Sequence, residues 1–104
     1  MFLDPDSPFA AEALKEAGEA YFAACKKMVA SLEALRAFDR AVDPAARENE
    51  RAARRSRLLD DAAERVLCVL IQREAMRLSG TQTFLEDYGV AEEVIARMGQ
   101  GQRR

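Results

Sequence analysis

A run of arginines between residues 47 and 57 is the first group that could do chemistry. Four of them share one face of a predicted helix: Arg47, Arg51, Arg54 and Arg55. A stripe of guanidinium groups can follow the phosphates of a nucleic acid. However, no aromatic side chain interleaves to stack on bases, and the whole chain has 16 basic against 18 acidic residues. We therefore predict a solvated helix face, with nucleic-acid binding as the alternative.

Glu74 is the second candidate, because its helical phase places it on a predicted apolar stripe between Leu70 and Leu78. A buried carboxylate needs partners. Arg77, Lys15 and the backbone N–H groups of the C-terminal segment could each supply them. The alternative is a catalytic acid with a raised pKa, but no second carboxylate or base is placed nearby by the sequence. We predict a structural buried acid that anchors the C-terminal segment.

The remaining reactive side chains offer neither a catalytic pair nor a metal site. The chain has no histidine, which is the commonest general base and metal ligand. Its two cysteines, Cys25 and Cys68, lie in apolar helical pattern and fit neither a closely spaced pair nor a disulfide framework. We predict buried, reduced thiols, no catalytic residue, no metal and no cofactor.

The elements that position these residues are all predicted to be helices. Ser7 and Pro8 begin a helix over 8–41 as its N-cap and first residue. Asp43 and Pro44 repeat that pattern for a helix over 44–79, which Gly80 ends. Two short helices follow over 83–88 and 91–98, the first with a Thr83–Glu86 capping box and the two ended by Gly89 and Gly99. The sequence thus predicts a single all-α domain over 1–104.

The short connection between the two long helices predicts an antiparallel hairpin. Pairing about the turn places residue i opposite about residue 87 − i, with one stripe of helix two facing helix one: Ala45, Asn49, Ala52, Ser56, Leu59 and Ala63. This register sets Cys25 about two turns from Cys68, which disfavours a disulfide between them. We expect the open end of the hairpin to be capped by the two short helices together with Phe2, Leu3 and Phe9.

Apolar residues beyond those that the hairpin needs predict contact with a second chain. A second row on helix two lies about 100° from the hairpin-facing stripe and comprises Leu58, Ala62, Val69 and Met76. The apolar arc of helix one is also wide, and it extends to Phe22 and Val29. The alternative is that the C-terminal helices cover part of the second row. We predict a homodimer that forms a four-helix bundle through these six residues.

The location of the protein follows from segments that the sequence lacks. Residues 1–6 have neither a basic region nor a hydrophobic region, so we predict no signal peptide. The longest apolar run, over 66–71, is too short to span a bilayer. These observations predict a cytoplasmic protein without a membrane segment.

Three blocks in the C-terminal third carry a resemblance. They are Gln-Arg-Glu-Ala at 72–75, Asp-Tyr-Gly-Val at 87–90 and Glu-Val-Ile-Ala-Arg-Met-Gly at 93–99. With this spacing, the chain resembles a family of uncharacterised small helical bacterial proteins. The resemblance implies a helical fold and no known activity. It also implies a structural link between Glu74 and Tyr88.

Composition and motifs together favour a binding function over catalysis. Apolar residues make up 49% and charged residues 33% of the chain, which is typical of a folded domain rather than a disordered one. We predict a non-catalytic helical interaction or adaptor protein that binds a protein partner. The alternative is a small dimeric nucleic-acid-binding regulator that uses the arginine stripe. An enzyme is the third possibility, because no nucleophile–base pair or cofactor loop is evident.

Overall fold

The computed structural model describes residues 7–41 and 47–101. This part of the chain forms four helices and no strand: α1 (Pro8–Arg40), α2 (Glu48–Ala75), α3 (Thr81–Asp87) and α4 (Glu92–Gly101). The all-α class and the order of two long and two short helices are therefore confirmed. The molecule is elongated, with principal extents of 61, 25 and 24 Å.

Helix α1 begins where the sequence predicts. The Phe9 N–H donates to Ser7 Oγ at 3.1 Å, and Pro8 occupies the first turn, where its missing N–H costs nothing. The helix runs for 33 residues, about 50 Å, and ends at Ala41 in extended backbone. Arg51 of α2 donates to the carbonyl oxygens of Phe38 and Ala41 at 3.2 and 3.0 Å. A guanidinium thus adds hydrogen bonds at the C-terminal end of α1, where the Phe38 carbonyl also accepts from the Ala41 N–H at 3.3 Å.

Helix α2 begins at Glu48, four residues after the predicted start at residue 44. Arg47 is in extended backbone at the N-cap and its side chain makes no capping hydrogen bond. The first turn instead carries Glu48 and Glu50, whose charges favour the positive end of the helix dipole. The Asp43–Pro44 signal lies outside the described residues.

The end of α2 differs from the prediction, because the helix stops at Ala75 and not at Ser79. Arg77 adopts a left-handed backbone with φ of 59°, and its N–H donates to the Glu74 carbonyl. The Leu78 N–H donates to the Arg73 carbonyl at 2.9 Å, which completes a Schellman turn. The left-handed position is usually glycine, so sequence reasoning placed the end at Gly80.

The glycines flank α3 instead. Gly80, with φ of 78°, lies at the N-cap of α3, so the helix begins at Thr81 and the predicted Thr83–Glu86 capping box is wrong. Glu86 instead accepts a hydrogen bond from Gln82 Nε2 at 3.1 Å. Gly89, with φ of 62°, ends the helix as predicted, in a turn where backbone without a Cβ carries no penalty.

The two long helices form the predicted antiparallel hairpin in a different register. Tyr21 contacts Arg73 and Asp39 contacts Arg55, whereas the expected register placed residues 66 and 48 opposite them. The displacement is seven residues, about two helical turns. The later start of α2 accounts for much of it, because the connection is longer than predicted.

The C-terminal helices lie along the side of the hairpin and do not cap its open end as predicted. Arg36 of α1 donates to the carbonyls of Tyr88 and Gly89 at 2.8 and 3.1 Å. Arg97 of α4 pairs with Asp60 of α2 at 2.6 Å. Phe9 is left 80% exposed. Phe2 and Leu3, the other residues of the predicted cap, lie outside the described residues.

The hydrophobic core lies between α1, α2 and the two short helices. Its buried members are Met28, Leu32, Leu35, Leu59, Ala62, Ala63, Val66, Val69, Phe84, Leu85, Val94 and Met98. Burial of each large side chain contributes roughly 1.5–3 kcal/mol. Ser31 is a buried polar residue on the core face of α1, and its hydroxyl donates to the Met28 carbonyl at 2.8 Å. The hydroxyl is therefore satisfied without a partner from another helix.

Candidate functional site

The arginine stripe is largely used within the chain. The Arg51 guanidinium lies 4.4 Å from the centre of the Phe38 ring and also caps α1. Arg54 lies 5.8 Å from the same ring. Arg47 is exposed at the N-cap of α2. Two of the four predicted side chains, Arg51 and Arg55, are thus half-buried against α1 rather than solvated, which corrects the interpretation of the stripe as a water-facing surface.

Arg55 joins three helices. It donates to both carboxylate oxygens of Asp39 on α1, at 2.8 and 3.1 Å, and to both of Glu93 on α4, each at 2.8 Å. Hydrogen bonds from Arg55 hold the pKa of Asp39 and the pKa of Glu93 below their usual values. The same bonds raise the pKa of Arg55, Glu93 contributing more than Asp39. The three groups with shifted pKa values, Asp39, Arg55 and Glu93, therefore connect α1, α2 and α4.

Glu74 is exposed, so the prediction of a buried acid at this position is wrong. The adjacent residue, Arg73, anchors the C-terminal segment instead. Its guanidinium donates to the Tyr21 hydroxyl at 3.0 Å and to the Ser79 carbonyl at 2.8 Å. It also lies 4.2 Å from the centre of the Phe84 ring on α3. One arginine thus links α1, the turn after α2 and the first residues of α3.

The surroundings of Arg73 explain a second shifted group. Burial raises the pKa of the Tyr21 phenol, and the Cys25 thiol adds to this effect, while the hydrogen bond from Arg73 opposes it. Within the described part of the chain, Arg73 Nε is buried without a hydrogen-bond partner. Sequence reasoning missed this cluster, because it placed the anchor of the C-terminal segment at the neighbouring Glu74.

The predicted dimer row on helix two is mostly buried inside the chain. Ala62 and Val69 have no exposed surface and Leu58 is half-buried, whereas Met76 is 38% exposed. Ala62 and Val69 follow Arg55 by seven and fourteen residues, so they share the face that contacts α1. Ala62 and Val69 therefore form part of the hairpin contact and are not available to a second chain.

The stripe that was expected to face α1 faces α4 instead. Arg97 on α4 contacts Ser56 at 3.4 Å and Asp60 at 2.6 Å. The two faces of α2 are thus exchanged relative to the prediction. Both are apolar, so the pattern of one helix does not indicate which neighbour covers which face. The C-terminal helices were offered as the alternative cover of the second row, but Arg97 of α4 contacts α2 at Ser56 and Asp60, outside that row.

Half of the exposed large apolar residues in the described part of the chain lie on α1, and the other half are Ile71, Met76, Leu78 and Tyr88. Phe22 is 70% exposed and Val29 is 41% exposed. Their place at an interface with a second chain stays a prediction. Leu14 is 73% exposed, although it precedes Tyr21 and Met28 by seven and fourteen residues and so shares their core-facing phase. We name the exposed face of α1 that contains Leu14, Gly18, Phe22 and Val29 the α1 strip.

The α1 strip is exposed because of where α2 ends. Arg73 lies level with Tyr21, and α2 stops two residues later, at Ala75. The first three turns of α1 therefore extend beyond the partner helix. Within them Ala10 is buried, but Leu14 and Phe9 are mostly exposed. A Cβ built on Gly18 would meet no atom within 4 Å, so the surface there is open.

The cysteines are free, as predicted, but they are less buried than expected. Cys25 is half-buried beside Tyr21, and Cys68 is exposed. Cys68 lines a shallow groove between α1 and α2, whose other lining residues are Ala20, Ala23, Ala24, Lys27, Arg65 and Gln72. The register shift brings Cys68 level with this part of α1, so the predicted two-turn separation from Cys25 no longer holds.

Two further classes of site are not found in the described residues. No three cysteine, aspartate or glutamate side chains there stand close enough together to hold a metal ion. None of the helices α1 to α4 is long and apolar enough to cross a bilayer.

Comparison with known proteins adds no assignment. No family model matches this chain, and no match was found among curated proteins or among solved structures. The resemblance of the C-terminal blocks to small helical bacterial proteins stays a prediction.

Proposed function

We propose that this chain is a non-catalytic interaction protein that binds a protein partner through the α1 strip. The observation that carries the proposal is the exposure of Leu14 and Phe22, at 73% and 70%, along one face of a single helix. Single exposed apolar residues are common on any protein, but a row of them on one helix is typical of a helix–helix contact surface.

The polar groups of the chain support binding over catalysis. The carboxylates with lowered pKa, Asp39 and Glu93, are both held by Arg55 between helices. The phenol with a raised pKa, Tyr21, is held by Arg73 between α1 and α2. Perturbed groups of this kind serve packing as often as chemistry. These contacts do not use the α1 strip.

The alternative of nucleic-acid recognition has less support. Arg51 and Arg55 already donate to carbonyl and carboxylate oxygens within the chain. Only Arg47 and Arg54 of the four would remain to contact phosphates. Neutralising two phosphates gives weak binding that is lost with salt. We therefore do not adopt this function.

The test places a photo-reactive residue, p-benzoylphenylalanine, at Phe22 in cells that express the chain. Phe22 is mostly exposed, so the larger ring should not disturb the core. The matched control carries the same residue at Ala30, which is exposed on the same helix about 120° from the centre of the α1 strip near Gly18. Irradiation should give discrete protein adducts from position 22 and few from position 30.

Equal labelling from the two positions would contradict the proposal, because it would show that the strip is an ordinary exposed surface. Adducts that disappear after nuclease treatment would favour the nucleic-acid alternative. Mass spectrometry of the adducts then separates a second copy of this chain from a different protein.

A further inference from the structure

We infer that the occupant of the α1 strip is a second copy of this chain, with the two α1 helices packed antiparallel. This inference rests on the proposed function, since it assigns a partner to the same surface. It keeps Phe22 and Val29 from the dimer expected from the sequence but drops the row on α2, in which Ala62 and Val69 are buried. Three properties of α1 support it: the charges beside the strip, the sizes of its side chains and its accessibility.

The charges beside the strip are self-complementary. Four exposed residues follow one edge of it: Lys15, Glu19, Lys26 and Glu33. Their signs alternate, and in an antiparallel two-fold pair this edge lies beside the same edge of the partner. In an antiparallel pair centred near residue 23, Glu19 lies beside Lys26 of the partner and Lys15 beside Glu33 of the partner. Every contact is then between opposite charges.

The same arrangement matches large side chains with small ones. When residue i faces about residue 47 − i, Val29 lies against Gly18 of the other copy and Phe22 lies against Cys25. Nothing lies within 4 Å of the Cβ position of Gly18, so there is room for the Val29 side chain. A two-fold axis makes each contact occur twice and closes the assembly at a dimer.

The strip is accessible over the length that this pairing needs. Residues 15–33 span about 27 Å of α1, which is well within its 33 residues. Arg36 holds the C-terminal end of α3 just beyond this segment. Phe22 and Val29 remain exposed with α3 and α4 in place.

The test exchanges the charges of the central pair and measures mass by sedimentation at low ionic strength. Lys26→Glu alone, or Glu19→Lys alone, sets two like-charge contacts across the axis, and we expect dimerisation to weaken on the order of tenfold. Glu19→Lys with Lys26→Glu in one chain restores opposite charges and should restore the dimer. An equimolar mixture of the two single variants should also dimerise, because each supplies what the other lacks.

Lys27→Glu is the matched control. Lys27 is exposed next to Lys26 but lines the groove between α1 and α2, away from the strip. The Lys27→Glu variant should dimerise like the unmodified chain. Circular dichroism of every variant shows that a loss of mass is not a loss of fold. Glu33 also pairs with Arg36 of its own helix at 2.7 Å, so the Glu19 and Lys26 pair is the cleaner choice.

Two results would overturn this inference. One is a monomeric mass for the unmodified chain at about 100 µM, a concentration far above the Kd of a specific dimer. The other is a dimer that both single variants leave unchanged. If photo-adducts at Phe22 then consist of a different protein, the proposed function stands and only the identity of the partner is wrong. If position 22 gives no more adducts than the control at position 30, the proposed function and the antiparallel dimer are both wrong.

Discussion

At the scale of single residues, Arg73 stabilises the fold through contacts with several helices. Its guanidinium meets a hydroxyl, a carbonyl and an aromatic face from three parts of the chain. We expect Arg73→Ala to lower the free energy of unfolding by about 1–3 kcal/mol, because Tyr21 and Ser79 lose a charged donor. Urea denaturation checks this value, and limited proteolysis after residue 80 should become faster.

Glu74→Ala provides the comparison for Arg73. Glu74 is exposed, so its removal should change stability by less than about 0.5 kcal/mol. If both variants lose the same stability, the anchoring role of Arg73 is wrong. Arg73→Lys should fall between them, since an ammonium cannot hold three partners in the planar geometry of a guanidinium.

The sequence indicated that an ionic anchor lies near the end of α2, but it did not identify the right residue. Glu74 and Arg73 are adjacent, and their helical phases differ by about 100°. Exchanging the two faces of α2 turns one of them to the core and the other to water. The same exchange explains why Val69, predicted at an interface, is buried. Phase within one helix is readable from sequence, but the neighbour on each face depends on tertiary packing.

At the scale of elements, the turn that ends α2 places a residue with a Cβ in a left-handed backbone conformation, where glycine would be more favourable. Arg77 has φ of 59°, a conformation that costs a residue with a Cβ roughly 1–2 kcal/mol. Its side chain is exposed, and no hydrogen bond or ion pair is seen for it among the described residues. Arg77→Gly should therefore raise the free energy of unfolding by up to about 1 kcal/mol, measured by urea denaturation.

Gly89→Ala is the opposite change at the equivalent position after α3. Gly89 has φ of 62°, and an added Cβ would lie 3.1 Å from the Arg36 guanidinium. This variant should be less stable than the unmodified chain. A destabilised Arg77→Gly protein would show that the arginine side chain contributes something the backbone geometry does not reveal.

Helix starts and ends were predictable where they follow common residue preferences. Ser7, Pro8 and Gly89 were correctly interpreted, since each satisfies an end by a local and frequent mechanism. The turn at Arg77 was missed because an arginine occupies a position that usually holds glycine. The start of α2 was missed for a similar reason, because Arg47 caps it without a side-chain hydrogen bond.

At the scale of the whole molecule, Arg55 makes stability depend on pH. Asp39 and Glu93 have lowered pKa values in the folded chain, so the unfolded chain binds more protons in mild acid. Their contribution is present above the ordinary carboxylate pKa of about 4 and is lost as pH falls through the folded values. Asp39→Asn with Glu93→Gln should therefore flatten the fall in stability between about pH 5 and pH 3.

Asp61→Asn is the control for this prediction. Asp61 pairs with Arg65 of the same helix at 3.5 Å, so its removal does not separate helices. The Asp39 and Glu93 carboxylates are both substantially exposed, so the ion pair of each with Arg55 contributes at most about 1 kcal/mol to stability. The readout is thermal unfolding across the pH range. If the thermal midpoint changes with pH by the same slope in the unmodified chain, the double variant and Asp61→Asn, the Arg55 ion pairs do not link protonation to folding.

The projection of α1 beyond the end of α2 has a consequence for the kinetics of recognition. An isolated helix shorter than about 12–15 residues is marginal in water, and the first three turns of α1 have few packed neighbours. Their amide protons should exchange with solvent far faster than those around Met28. A partner that docks on Leu14 would slow this exchange, and part of its binding free energy would be spent on ordering the helix. Encounter could then begin with a frayed segment and finish with a rigid one.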